Sequence, residues 1–144
     1  LAWKLERSSD NWKFEDASLL TKMGDLLYFQ DHKNKAEIWY RRALELNPEK
    51  SRTLNNLAWL LTETHNDDQK RLKESMVLAQ KALEGKKTAF IWDTLAEAYF
   101  RNGLYEKAAD AAQNALESAE EGIGIGMEAD LDYYKKRFKQ MAGE

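Results

Sequence analysis

Few residues in this chain are equipped to do chemistry. Its 144 residues hold two histidines and no cysteine, which excludes thiolate catalysis, disulfides and cysteine–zinc sites. His32 and His65 each fall in a polar stretch between two apolar-periodic segments, where the expected setting is a solvent-exposed turn. They do not stand at metal-ligand spacing on a helix, and no Ser/His/Asp order or nucleophile elbow accompanies them. Gly122-x-Gly124-x-Gly126 has the glycines of a phosphate loop but no preceding strand and no Walker lysine, and it reads as a flexible linker. Lys70-Arg71-x-Lys73 and Lys135-Lys136-Arg137-x-Lys139 are the basic clusters. Each lies on an amphipathic stretch with carboxylates nearby, the pattern of a solvated helix face. The sequence thus predicts no catalytic residue, no metal, no cofactor and no enzyme.

Bulk properties narrow the partners. A third of the residues are charged, yet the net charge is only −3. Mixed charge without a basic excess argues against a nucleic-acid binder. No apolar run approaches the roughly 18–20 residues that span a bilayer, so no direct membrane insertion is expected. The first residue is Leu1 rather than methionine, and the chain reads as a piece of something longer, with cytoplasm and periplasm both open as compartments.

Any site must therefore be built by helices. Ala, Leu, Glu and Lys dominate, while the runs of Val, Ile and Thr that strands favour are missing. The fold class is all-α. Residues 1–16 read as the end of a preceding helix or as an aromatic arm carrying Trp3, Trp12 and Phe14. A helix is expected from an N-cap at Asp16 to Phe29 or Gln30, with Leu20, Met23, Gly24 and Leu27 on one face. After a turn at Asp31-His32-Lys33 a second helix carries Ala36, Tyr40 and Ala43. Asn47 is expected to cap, and Pro48 to open, a third helix with Leu54, Leu57, Ala58 and Leu61. A polar loop, 64–68, precedes a helix with Ser75, Ala79 and Ala82 that stops at Gly85. Trp92, Leu95, Ala96 and Tyr99 then lead through Asn102-Gly103 to Ala108, Ala112 and Ala115. Leu131, Tyr134, Phe138 and Met141 form one stripe on a last helix.

These sets repeat. Leu20/Met23/Gly24/Leu27 with Ala36/Tyr40/Ala43 superposes without a gap on Trp92/Leu95/Ala96/Tyr99 with Ala108/Ala112/Ala115, and the middle set needs about five more residues between its helices. On these residues the chain resembles the tetratricopeptide repeat family. The resemblance implies a right-handed helical-hairpin solenoid of about seven helices. Its units would be 17–50, 51–88 with a lengthened loop, and 89–122, followed by a capping helix at 127–144 that covers the last apolar face.

The resemblance also implies that the first helix of each pair lines a concave ligand channel. Helical spacing from the packing residues puts Thr21, Asp25 and Tyr28 there, with Asn55, Trp59 and Glu63 in the second unit and Asp93, Glu97 and Phe100 in the third. Three rings and several carboxylates suit a basic or aromatic peptide. Chaperone-binding members of the family grip a terminal carboxylate with a lysine–asparagine pair, a further asparagine and a lysine–arginine pair. Asn56 matches the central asparagine, but Thr21 and Asp25 replace the first pair and Asp93 and Glu97 the last, which disfavours that role. The expected function is a noncatalytic scaffold for a peptide or protein partner. The alternatives are a self-assembling module and, on a loose likeness around Leu57–Leu61, the regulatory tail of a larger bacterial envelope or membrane-bound enzyme.

Overall fold

The computed structural model describes residues 11–63, 68–122 and 128–144. Among them are seven α-helices and no strand: α1 (Asn11–Phe29), α2 (Lys33–Leu46), α3 (Ser51–Thr62), α4 (Gln69–Gly85), α5 (Ala89–Arg101), α6 (Tyr105–Glu121) and α7 (Glu128–Ala142). α1, α3 and α5 each pack on the helix that follows, each pair packs on the next, and α7 packs on α6, giving an all-α helical solenoid. His65, Trp3 and Ile123–Gly126 lie outside the described residues.

The core follows from small residues at helical spacing. Ala36, Ala43, Ala79, Ala82, Ala108, Ala111, Ala112 and Ala115 are all buried on the second helices. Against them the first helices set Leu54, Leu57, Leu61, Ile91 and Leu95. Alanine lets the backbones approach, and leucine supplies the apolar area that holds them.

The first pair reaches the same closeness by another route. Tyr40 stands where the later pairs carry Ala79 and Ala112, and Gly24 where they carry Ala58 and Ala96. A Cβ on Gly24 would lie 2.5 Å from the Tyr40 ring, so the large ring requires the missing side chain. Within the pairs the turns also match. His32 N–H bonds Leu27 O at 2.8 Å, and Leu104 N–H bonds Tyr99 O at 2.9 Å, closing α1 and α5 alike. The left-handed residue of each turn is Asp31 at φ 62° and Gly103 at φ 77°.

Three expected boundaries move. α1 is described from Asn11, so Asp16 lies inside it and is not its N-cap. Asn47 is the C-cap of α2, its N–H bonding Ala43 O, and Pro48 sits in the turn, so α3 opens three residues later with Lys50 as its N-cap. Met23, placed with the packing residues by its spacing, is 37% exposed. The α7 stripe lies inward: Met141 is buried and Phe138 packs on the core shared by α4, α5 and α6.

Candidate functional site

The first helices share one hollow of about 540 Å³, whose walls come from α1, α3, α5 and α7, with Tyr40 reaching in from α2. Its lining is aromatic: Tyr28, Phe29, Trp59, Phe90, Tyr133 and Tyr134. The polar residues between the rings are Asp25, Arg52, Asn55, Asn56, Asp93 and Thr94.

Of the residues expected in a groove, the structure brings Asp25, Tyr28, Asn55, Asn56, Trp59 and Asp93 to this surface. Thr21 is buried instead, its hydroxyl 2.7 Å from Thr53 Oγ1 and donating to Ala17 O. Glu63 belongs to a second hollow with Asp31, Lys33, Glu37 and Arg71. It accepts from Tyr28 Oη at 2.8 Å and pairs with Lys33 at 3.2 Å. Glu97 is turned to α7, and Phe100 is half-buried, its ring edge-to-face with Tyr105 at 5.3 Å. Sequence reasoning missed Phe90 and Thr94, although they occupy in α5 the repeat positions of Arg52 and Asn56 in α3. It also missed Tyr133 and Tyr134, which no repeat alignment covers.

The carboxylates in the hollow are already engaged. Asp25 accepts from Tyr40 Oη at 2.8 Å, Asn56 Nδ2 at 2.7 Å and Arg52 at 2.6 Å. Asp93, 5% exposed, accepts from Tyr133 Oη at 2.7 Å and Arg137 Nε at 2.8 Å. Arg137 also donates to Glu97 at 2.7 Å. The capping helix therefore supplies the cation and hydroxyl that the third pair's carboxylates need, and these anions do not stand free as their spacing alone suggested. A charged group removed from water needs such partners. Burial and then the hydrogen bonds to Asp25 and Asp93 push Tyr40 and Tyr133 well above the ordinary phenol range. Tyr28, buried and donating to Glu63, is pushed up to about 12.

Of the residues lining the hollow, one has a buried polar atom left over. Asn55 is 7% exposed, and its Oδ1 is buried without a hydrogen-bond partner. Leaving such an acceptor unpaired costs about 1–3 kcal/mol. His32 is exposed in its turn, and no group of three potential metal ligands occurs among the described residues. Nor is any described helix long and apolar enough to cross a membrane. Of the basic clusters, Arg71 pairs with Glu37 and Arg137 with Asp93 and Glu97.

Two tetratricopeptide repeat family models match, over residues 17–50 and 39–72. No curated protein sequence matches the chain significantly. Among solved structures the chain is similar to the TPR domain of Arabidopsis OM64, with 20% identity, 92% of this chain and 98% of that one covered, and a TM-score of 0.72. It is also similar to the TPR2B domain of yeast Sti1, solved as a complex with pHsp70, with 19% identity, coverage of 90% and 98%, and a TM-score of 0.68. For the Sgt2 TPR domain from Aspergillus fumigatus the values are 20%, 90% and 83%, and 0.64. With three stacked helical pairs, a covering seventh helix and these matches, the chain belongs to the tetratricopeptide repeat family.

Proposed function

We propose that the hollow lined by α1, α3, α5 and α7 holds a segment of a protein partner. The observation that carries this reading is Asn55: a buried acceptor without a partner, set in an aromatic surface, is matched by an N–H arriving with a ligand. Rings offer large contact area at low entropic cost, and a peptide backbone offers the donor. The Sti1 domain's complex with pHsp70 supports a protein partner for this fold.

Charge refines the ligand. Asp25 is balanced by Arg52, whereas Asp93 and Glu97 share the single Arg137. The α5–α7 end thus keeps one negative charge in excess. The ligand is an aromatic or apolar segment whose one lysine or arginine lies toward that end. A terminal carboxylate is disfavoured there by the same charge.

A randomised peptide array probed with the labelled domain tests this. The expected hits combine aromatic or apolar residues with a single cation, and Trp59→Ala and Phe90→Ala weaken them. Hits without that composition, or hits indifferent to both substitutions, would sink the proposal.

A further inference from the structure

Cations collect at the start of α3. Lys50, its N-cap residue, is half-buried and donates its amino group to Ser18 on α1. Lys22 stands one helical turn after Ser18, on the same face of α1. From the other side the end of α4 comes so close that a Cβ on Gly85 would lie 2.1 Å from Ser51 Oγ. That approach brings Lys86, the next residue, beside Lys50. Arg52 follows on α3 and reaches into the hollow, where it lies 2.6 Å from Asp25.

The charges there are unbalanced. Asp25 is the carboxylate in contact with the cluster, and beside Arg52 it already accepts from Tyr40 and Asn56. Lys22, Lys50 and Lys86 form no ion pair among the described residues. Burial, and then the like charges of Arg52, Lys22 and Lys86, hold the Lys50 amino group below the ordinary lysine range. The fold keeps these cations together, so an arriving anion is attracted by all of them.

We propose that Lys22, Lys50 and Lys86 form a subsite for a run of aspartate or glutamate side chains in the partner segment. The inference rests on the hollow being the partner site, and it adds an acidic run to the segment's aromatic core and single cation. Arg52, which lines the hollow, joins the two. The chemistry of the cluster selects carboxylates. A phosphate is met by the bidentate fork of an arginine, and Arg52 is engaged with Asp25. Lysines set on separate segments offer point charges apart from one another, which suit several single charges in a row. α3 adds the positive end of its dipole, since Lys50 places no side-chain acceptor on its first turn. The excess negative charge of Asp93 and Glu97 draws the segment's cation away from this cluster. The two opposite charges thus fix one direction of the segment across the hollow.

The probes are two fluorescent peptides with the core Phe-Gly-Phe-Lys, one flanked on both sides by three glutamates and the other by three glutamines. The chain carries a net charge of −3, so its overall field works against the glutamate peptide. Anisotropy titration into the full chain is expected to show that peptide binding about tenfold or more tighter than its glutamine counterpart. The advantage should shrink at about 1 M salt, where the screening length falls to about 3 Å. Lys50→Gln is expected to remove it without weakening the glutamine peptide. So is Lys22→Gln combined with Lys86→Gln, at exposed positions where the fold survives. Lys139→Gln, an equal change of charge on the exposed side of α7, is expected to keep it. Equal affinity for the two peptides, or a preference indifferent to the lysine variants, overturns the subsite and leaves the hollow standing if Trp59→Ala weakens both peptides. A glutamate preference together with indifference to Trp59→Ala overturns the hollow as the partner site, and with it the subsite's part in that segment. A single-stranded oligothymidylate that binds as tightly as the glutamate peptide and competes with it assigns the lysines to nucleic acid, which also overturns the proposal.

Discussion

Arg137 shows how far a side chain's meaning depends on what packs beside it. In the sequence it is one cation in a basic run. In the fold it is the counter-charge of Asp93 and Glu97, its side chain 13% exposed and that of Asp93 7%. Truncating it leaves a carboxylate buried with only Tyr133 as donor, and removal of one partner from a buried pair costs about 3–5 kcal/mol. Arg137→Ala is therefore expected to lower the urea midpoint strongly, and Asp93→Asn combined with it to recover part of the loss. An unchanged midpoint would contradict the pairing. Tyr28 gives a pH signature. Its folded value is raised from 10.0 to about 12 by burial and by Glu63, so the fold favours the neutral phenol. That contribution is complete below pH 10 and is lost as pH rises from 10 to 12. The stability gap between the native chain and Tyr28→Phe should narrow over that range, and a constant gap would speak against it.

Helix pairing is where the sequence was most informative and where its silence is most instructive. Alanine and leucine at three- and four-residue spacing located every pair, because close packing admits few residue types at those positions. The exchange of Gly24 and Tyr40 for Ala and Ala fits the same rule. Gly24→Ala is expected to destabilise by about 1–3 kcal/mol through overpacking, and Tyr40→Ala in the same chain to relieve the clash. Thermal melts of the native chain, Gly24→Ala and the double variant would show it, and equal melting temperatures for Gly24→Ala and the native chain would refute it. Asp31 holds the left-handed position that Gly103 holds in the third pair, so Asp31→Gly should stabilise by about 1 kcal/mol, read from denaturant midpoints. Pro48 was misread because proline suits both a first helical turn and a tight turn. α1 extends beyond Asp16 since a favourable N-cap residue is tolerated inside a longer helix. The groove's α5 wall was less legible: Asp93 and Phe90 both satisfy helical spacing, and only the packing of α7 shows that Asp93 and Glu97 are both paired with Arg137.

At the scale of the whole molecule, the helices set a surface of rings beside a cluster of cations. The concave surface gathers rings from α1, α3, α5 and α7 around the unpaired Asn55 oxygen, and Lys22, Lys50 and Lys86 stand together at the start of α3. The capping helix does more than cover apolar area, since Tyr133, Tyr134 and Arg137 finish one wall of the groove. That contribution was invisible in repeat spacing because α7 has no partner helix to align with. The most direct test of the central claim is calorimetric titration of the best array peptide into the native chain, Trp59→Ala, Asn55→Ala and Val77→Ala. Val77 is 61% exposed and lines no part of the groove. Binding weakened about tenfold or more by Trp59→Ala and Asn55→Ala, with Val77→Ala unchanged, is the predicted result. Affinity equal in all four proteins would show that the groove is not where the partner binds.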